Sequence, residues 1–113
     1  MKTNELVTAY ITFGDGSGGK RRPILILGYN DEVIIAYRLT TKYINKSAKI
    51  KEHYYKMLDW SIAGLKTQSY IDTSVKQRLS RHLIGRQLEY IGEMTILDIN
   101  GLSEFIRNKV RRS

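Results

Sequence analysis

Three short stretches of the chain carry side chains suited to chemistry on a phosphate. In Gly18-Gly19-Lys20-Arg21-Arg22-Pro23, glycines are followed by three cations and a proline. Glycines let backbone approach a ligand closely. An arginine held at the start of a strand offers a rigid fork of N–H donors, the geometry of a bidentate grip on phosphate. A solvated hairpin tip would use the same residues. The stretch is not a P-loop, because the spacing differs and an apolar strand rather than a helix follows. The second stretch is Arg38-Leu39-Thr40-Thr41-Lys42. Its hydroxyls could bond a phosphate or a ribose 2′-OH, although threonine also simply favours strands. The third is Ser69-Tyr70-Ile71-Asp72. Asp72 beside an arginine could work as a general base, its charge steadied by the cation; a carboxylate in a surface ion pair would read the same way. Tyr37, Tyr43, Tyr54, Tyr55 and Tyr70 interleave with lysines and are either core residues or stacking platforms for unpaired bases. His53 is an acid–base group by type, and His82 is expected to be structural or exposed.

Composition narrows the setting. The chain has 113 residues, enough for one domain over 1–113 with one modest core. Apolar residues make up 42%, which fits a folded protein. There is no cysteine, so neither a disulfide framework nor a thiol nucleophile is available. With only two histidines, a transition-metal site is not expected, and no cofactor is implied. The first residues carry no long apolar run, and nowhere do 18 apolar residues follow one another. The expected location is therefore the cytoplasm, with no membrane partner. A net charge of +8 points to a polyanion or an acidic protein as partner.

The elements that must position these residues are mostly strands. Val7–Phe13 alternates large apolar with small or polar residues, as a half-buried strand does. After the glycine-rich loop, Pro23–Gly28 is a continuous apolar run typical of a central strand, and Val33–Thr40 is a third strand beyond the turn at residues 29–32. The three read as an antiparallel meander. Residues 41–52, with Lys42, Lys46, Lys49 and Lys51 against Glu52, read as a mobile basic loop. Short strands are expected at 53–57, 69–73 and 88–92, a turn carrying a buried Trp60 at 59–65, and a short helix at 81–87. Thr95 and Asp98 have the spacing of a capping box. Leu102, Phe105, Ile106 and Val110 then share one helical face. Gly101 costs that helix about 1 kcal/mol relative to alanine, and Arg107, Lys109, Arg111 and Arg112 complement the dipole in its last turns. The expected architecture is mainly β with a C-terminal helix, an SH3-like barrel.

The order of these segments resembles the MazF/PemK toxins, the ribonuclease halves of type II toxin–antitoxin pairs, and the PemK-like branch in particular. The Gly-rich loop with Arg22-Pro23 is similar to the family signature, and the third strand ends in Leu39-Thr40-Thr41. Trp60-Ser61-Ile62-Ala63-Gly64-Leu65 followed by Ser69-Tyr70 is similar to the branch's "W..AGL..SY" stretch. Ile91-Gly92-Glu93-Met94-Thr95-Ile96-Leu97-Asp98-Ile99 is similar to the "IG.L(S/T)..D(I/L)" entry to the closing helix. The likeness runs over residues 5–108.

The resemblance implies a barrel of the MazF/PemK/CcdB type, a homodimer, and an acidic antitoxin as partner. It implies metal-independent cleavage of single-stranded RNA, with the 2′-OH attacking its own phosphate. By position it implies catalysis by Arg22 and Thr40, with Thr41 the alternative if the alignment moves by one, and Asp72 as base. Gly19, Lys20, Arg21, Thr41, Lys42, Ser69 and Tyr70 are then expected to contact RNA. Arginine holds its proton tightly, so Arg22 is expected first as an electrostatic stabiliser. One departure stands out: some relatives have a second arginine beside the aspartate, where this chain has Tyr70. Two other readings stay open, a non-catalytic SH3-like RNA- or protein-binding module and a gyrase-poisoning toxin of the CcdB kind.

Overall fold

A computed structural model describes residues 1–12, 16–84 and 88–112. Phe13 of the expected first strand, Gly14 and Asp15 of the loop, and residues 85–87 of the expected short helix lie outside the described residues. The strands are β1 (Glu5–Thr12), β2 (Gly19–Tyr29), β3 (Val33–Thr40), β4 (Tyr54–Lys56), β5 (Tyr70–Ser80) and β6 (Glu89–Glu93). One-turn helices α1 (Ala48–Lys51) and α2 (Arg81–Ile84) sit in the connections, and α3 (Ile96–Arg112) closes the chain. All six strands pair antiparallel in one sheet of order β4-β5-β3-β2-β1-β6.

Alternation along the strands sorts the side chains onto two faces. Leu6, Leu25, Tyr37, Leu39 and Ile71 point to one face, where Met57, Leu102 and the half-buried Trp60, Ile99, Phe105 and Ile106 pack on them. Val7, Ala9, Ile24, Ile26, Ile34 and Ala36 form a second apolar patch on the other face, with Ile11, Leu79 and Leu88 against it. β2 is therefore buried on both sides between Ile24 and Ile26, which is why it reads as an unbroken apolar run rather than an alternating one. Pro23, with no N–H to give, stands one residue outside the ladder to β3, which begins at Ile24 opposite Arg38.

The two ends of the sheet are drawn together behind the first core. Gly64, at φ +100°, and Ala63 lie directly on Ile91 and Gly92 of β6. A Cβ on Gly92 would collide with the Ala63 carbonyl. The Ala-Gly-Leu and Ile-Gly pairs of the sequence are thus two halves of one backbone contact. Gly101 has the same kind of reason, because a Cβ there would strike the Tyr55 hydroxyl.

Several expectations are corrected. β2 begins four residues before Pro23, so the three cations belong to a strand and not to a loop. β5 runs eleven residues, Tyr70–Ser80, well past the short strand expected at 69–73, and α2 covers Arg81–Ile84 of the expected helix. The cause is pairing: Val33–Ala36 of β3 hold Gln77–Ser80 in register despite their polar sequence. Trp60 is half-buried rather than buried. Val110 is 68% exposed and lies off the core face of α3, whose apolar stripe uses Ile99 instead.

Candidate active site

The second face of the sheet changes character beyond its apolar patch. Alternation along β2 places Lys20 and Arg22 on this face, whereas Arg21 turns to the other. There Arg21 Nη1 donates to Thr8 Oγ1 at 2.8 Å and Nη2 lies 3.7 Å from Glu89. On β3, Arg38 pairs with Ile24 of β2, and Thr40 follows two residues later on the same face, as Arg22 does on β2. On β5, Asp72 stands opposite Arg38 and Tyr70 opposite Thr40. On β4, Tyr54 stands opposite Asp72. Four strands thus set Arg22, Thr40, Arg38, Asp72 and Tyr54 side by side.

These residues line a hollow of about 220 Å³, with Lys42 and Lys46 of the following loop on its rim. A second hollow of about 170 Å³ shares Arg22, Thr40 and Lys42 and adds Lys20, Arg21, Pro23, Thr41 and Ser69. Arg22, Leu39, Thr40 and Lys42 are common to both.

A bulge aims Asp72. Between the Arg38–Asp72 and Ala36–Gln77 pairs, β5 advances five residues while β3 moves only two. Such an insertion re-directs a strand locally. Within it, Asp72 Oδ1 accepts from Ser74 N at 2.9 Å and from Ser74 Oγ at 2.5 Å. The other carboxylate oxygen lies 3.6 Å from Arg38 Nη2, and the side chain is only 12% exposed. Behind the strand, Lys109 of α3 donates to Thr73 Oγ1 at 2.8 Å. Burial pulls the Lys109 ammonium below its usual value, and Asp72 works against that shift. Lys109 therefore does more than complement the helix dipole: it carries a charge into the sheet beside Asp72.

Burial first, and then Asp72, push the Tyr54 phenol above its usual pKa, while Arg38 works the other way. The Thr40 hydroxyl accepts from Lys42 N at 3.1 Å, fixing the turn out of β3. Tyr70 lies beside the hollow with its ring stacked on Tyr43, centroids 4.2 Å apart and planes within 4°. Lys51 Nζ sits 4.8 Å from the same Tyr43 ring. The basic segment after β3 is thereby tied to β5. Tyr43→Ser is expected to speed trypsin cleavage at Lys42, Lys46 and Lys49 severalfold, since stacked pairs contribute about 0.5–1.5 kcal/mol beyond burial. An unchanged cleavage rate would show that the stack does not hold the segment.

The structure thus brings Arg22, Thr40 and Asp72 together. It places Thr41, Lys20, Arg21 and Ser69 at the second hollow and Gly19 further out, at the start of β2 opposite Thr12. The Ser69 hydroxyl is directed to the Thr67 carbonyl at 3.0 Å. Arg38, Lys46 and Tyr54 complete the hollow; the sequence placed them in a phosphate-binding stretch, a basic loop and a set of tyrosines suited to stacking, without giving them a place at one site. For Arg38 the signal was present, because it precedes Thr40 by two residues on a strand. His53 is less suited to chemistry: its Nδ1 is buried without a partner among the described residues, and His82 is exposed. Among the described residues no three histidine, aspartate or glutamate side chains converge as a cation site would need, and no helix is long and apolar enough to cross a membrane.

No protein-family model matches the chain, and no curated protein matches it in sequence. Solved structures do match. The chain superposes on one from the crystal structure of MazE–MazF (form II) of Deinococcus radiodurans with a TM-score of 0.64, over 96% of this chain and 90% of that one. The fold is MazF-like. Sequence identity over the match is 19%, so the likeness carries architecture alone. The six-stranded antiparallel sheet with its C-terminal helix is the mainly β architecture expected from the sequence. The polar hollow of this chain lies on that sheet where β2, β3, β4 and β5 run side by side.

Proposed function

We propose that this chain is a metal-independent endoribonuclease toxin that cleaves single-stranded RNA by 2′-OH transesterification. The observation that carries the reading is the meeting of Arg22, Thr40 and Asp72, from three strands, in one hollow rimmed by cations. Asp72 supplies a carboxylate to take the 2′-hydroxyl proton. The attacking oxygen then bonds to phosphorus, and negative charge gathers on the phosphoryl oxygens. Arg22 and Arg38 lie beside that charge as fixed cations, and stabilisation of this kind is often the largest single contribution to a rate. Thr40, which lines both hollows, orients the phosphate or the 2′-OH. Loss of the 5′-oxygen leaves a 2′,3′-cyclic phosphate and a 5′-OH.

The rest of the reading follows the charge and the fold. A net charge of +8 suits RNA and also an acidic antitoxin that would neutralise the toxin. The matched chain comes from a MazE–MazF crystal structure, in keeping with a toxin–antitoxin partnership here. We take the protein to act as a homodimer in the bacterial cytoplasm, with residues 1–113 forming one toxin domain.

The test is direct. Purified protein is incubated with a long single-stranded RNA in excess EDTA, and the new ends are mapped. Cuts at a recurring short sequence with cyclic phosphate and 5′-OH ends are expected. RNA that is bound but left intact at micromolar protein would overturn the reading in favour of a binding module.

A further inference from the structure

The reaction needs a second proton movement that Arg22, Thr40 and Asp72 do not provide. When the P–O5′ bond breaks, the departing oxygen is a strongly basic alkoxide unless a proton reaches it. Few side chains in the hollow can supply one. A guanidinium does not give up its proton in a protein, which removes Arg22 and Arg38. The Thr40 hydroxyl is too weak an acid. Lys42 is exposed on the rim, and a mobile cation there is poorly placed for a timed transfer. Lys46, the other lysine of the lining, belongs like Lys42 to the loop after β3 and not to the sheet, which leaves the phenol of Tyr54 as the donor that a strand holds across from Asp72.

Its placement fits the task. Strand pairing sets Tyr54 directly across from Asp72, which puts the two Cβ atoms about 5 Å apart. The carboxylate is short and stays near the sheet, whereas a phenol reaches several ångströms further out, so the two can serve oxygens on opposite sides of one phosphorus. The ring is half-buried and stands against Tyr43, centroids 6.2 Å apart. We infer that Tyr54 is the catalytic acid that protonates the leaving 5′-oxygen, an assignment that rests on the ribonuclease reading above. The balance is complete. The 2′-hydroxyl proton passes to Asp72, the O2′–P bond forms, the P–O5′ bond breaks, and the Tyr54 proton goes to O5′. Water then reprotonates the phenolate and accepts the proton from Asp72. Burial and Asp72 raise the phenol's pKa, so it gives up its proton only to a base as strong as the departing alkoxide, and Arg38, which works to lower it, lies beside the phenolate afterwards.

The test varies the leaving group. A short RNA containing a mapped cut site is compared with the same RNA carrying sulfur in place of the bridging 5′-oxygen, under single-turnover conditions. A thiolate leaves without a proton. Tyr54→Phe is expected to slow the oxygen substrate by about 10²-fold while cleaving the sulfur substrate within a few-fold of wild type. Asp72→Asn is expected to slow both. Equal loss on both substrates for Tyr54→Phe, or no loss on either, overturns the assignment. A second measurement covers a Tyr54→Phe chain that does not fold. Tyr54→3-fluorotyrosine keeps the hydroxyl but makes it more acidic, so the basic limb of the pH–rate profile should move to lower pH; an unmoved limb overturns the assignment. Wild-type protein that cleaves neither substrate overturns the ribonuclease reading itself, and this inference with it.

Discussion

Arg22→Ala is expected to lower kcat on single-stranded RNA by about 10²–10³-fold, the usual loss when one fixed donor to a developing oxyanion is removed. The binding of RNA should fall far less, because Lys20, Lys42 and Lys46 still line the two hollows. Arg22→Lys should recover only part of the rate, since an ammonium cannot reproduce a planar fork. The informative control is Arg21→Ala. Arg21 is adjacent in sequence and equal in charge, but its guanidinium reaches across the other face of the sheet to Thr8 and Glu89. Its removal is expected to raise KM modestly, with an effect that fades as salt rises, and to leave kcat within a few-fold. Single-turnover cleavage of a labelled RNA separates the two quantities. If Arg21→Ala and Arg22→Ala lose kcat equally, the charge of the stretch matters and the strand geometry does not.

That contrast shows how far the sequence alone could be read. Lys20, Arg21 and Arg22 look like one basic patch until the strand is known to start at Gly19; period-two alternation then splits them. The meander of β1 to β3 and the closing helix were legible, because apolar periodicity reports burial and these elements make the core. β5 was legible only at its buried start. Ser74, Val75 and Lys76 are exposed, so no burial pattern marks them as strand. The bulge that aims Asp72 lies among those residues and follows from pairing with β3. Arg38 was within reach, two residues before Thr40 on a recognised strand. Tyr54 was read as a core residue or stacking platform on an expected strand at 53–57, but nothing local marked it as standing across from Asp72. Local patterns record what a residue buries. They do not record which residue stands across from it, and this hollow is assembled almost wholly by residues standing across from one another.

The same limit hid a buried structural anchor, Asp98. Its spacing from Thr95 marks a helix start, and Asp98 N does point to Thr95 Oγ1, at 3.4 Å. Its side chain does more. It is fully buried and accepts from the Tyr55 hydroxyl at 2.7 Å, from Leu58 N at 2.9 Å and from Asp59 N at 2.8 Å. Burial, and then this bond, hold the Tyr55 phenol well above its usual pKa. Asp98→Ala would leave three donors unpaired, the buried Tyr55 hydroxyl at up to about 3 kcal/mol and the part-buried Leu58 and Asp59 N–H groups nearer the lower end of about 1–3 kcal/mol each. A loss of about 3–6 kcal/mol is therefore expected, a large share of the roughly 5–15 kcal/mol that a domain has. Asp98→Asn should cost less, because it keeps one acceptor oxygen, although its amide presents a donor to donors. Urea unfolding followed by circular dichroism measures both variants. A loss below about 1 kcal/mol for Asp98→Ala, the net worth of one ordinary hydrogen bond, would show that the segment after β4 finds other partners. The anchor also bears on the site. Tyr55 is next to Tyr54 on β4 and pairs with Ile71, the neighbour of Asp72. Freeing Tyr55 from α3 loosens the strand that carries Tyr54, so RNA cleavage by any folded Asp98→Asn protein should fall through kcat before KM changes.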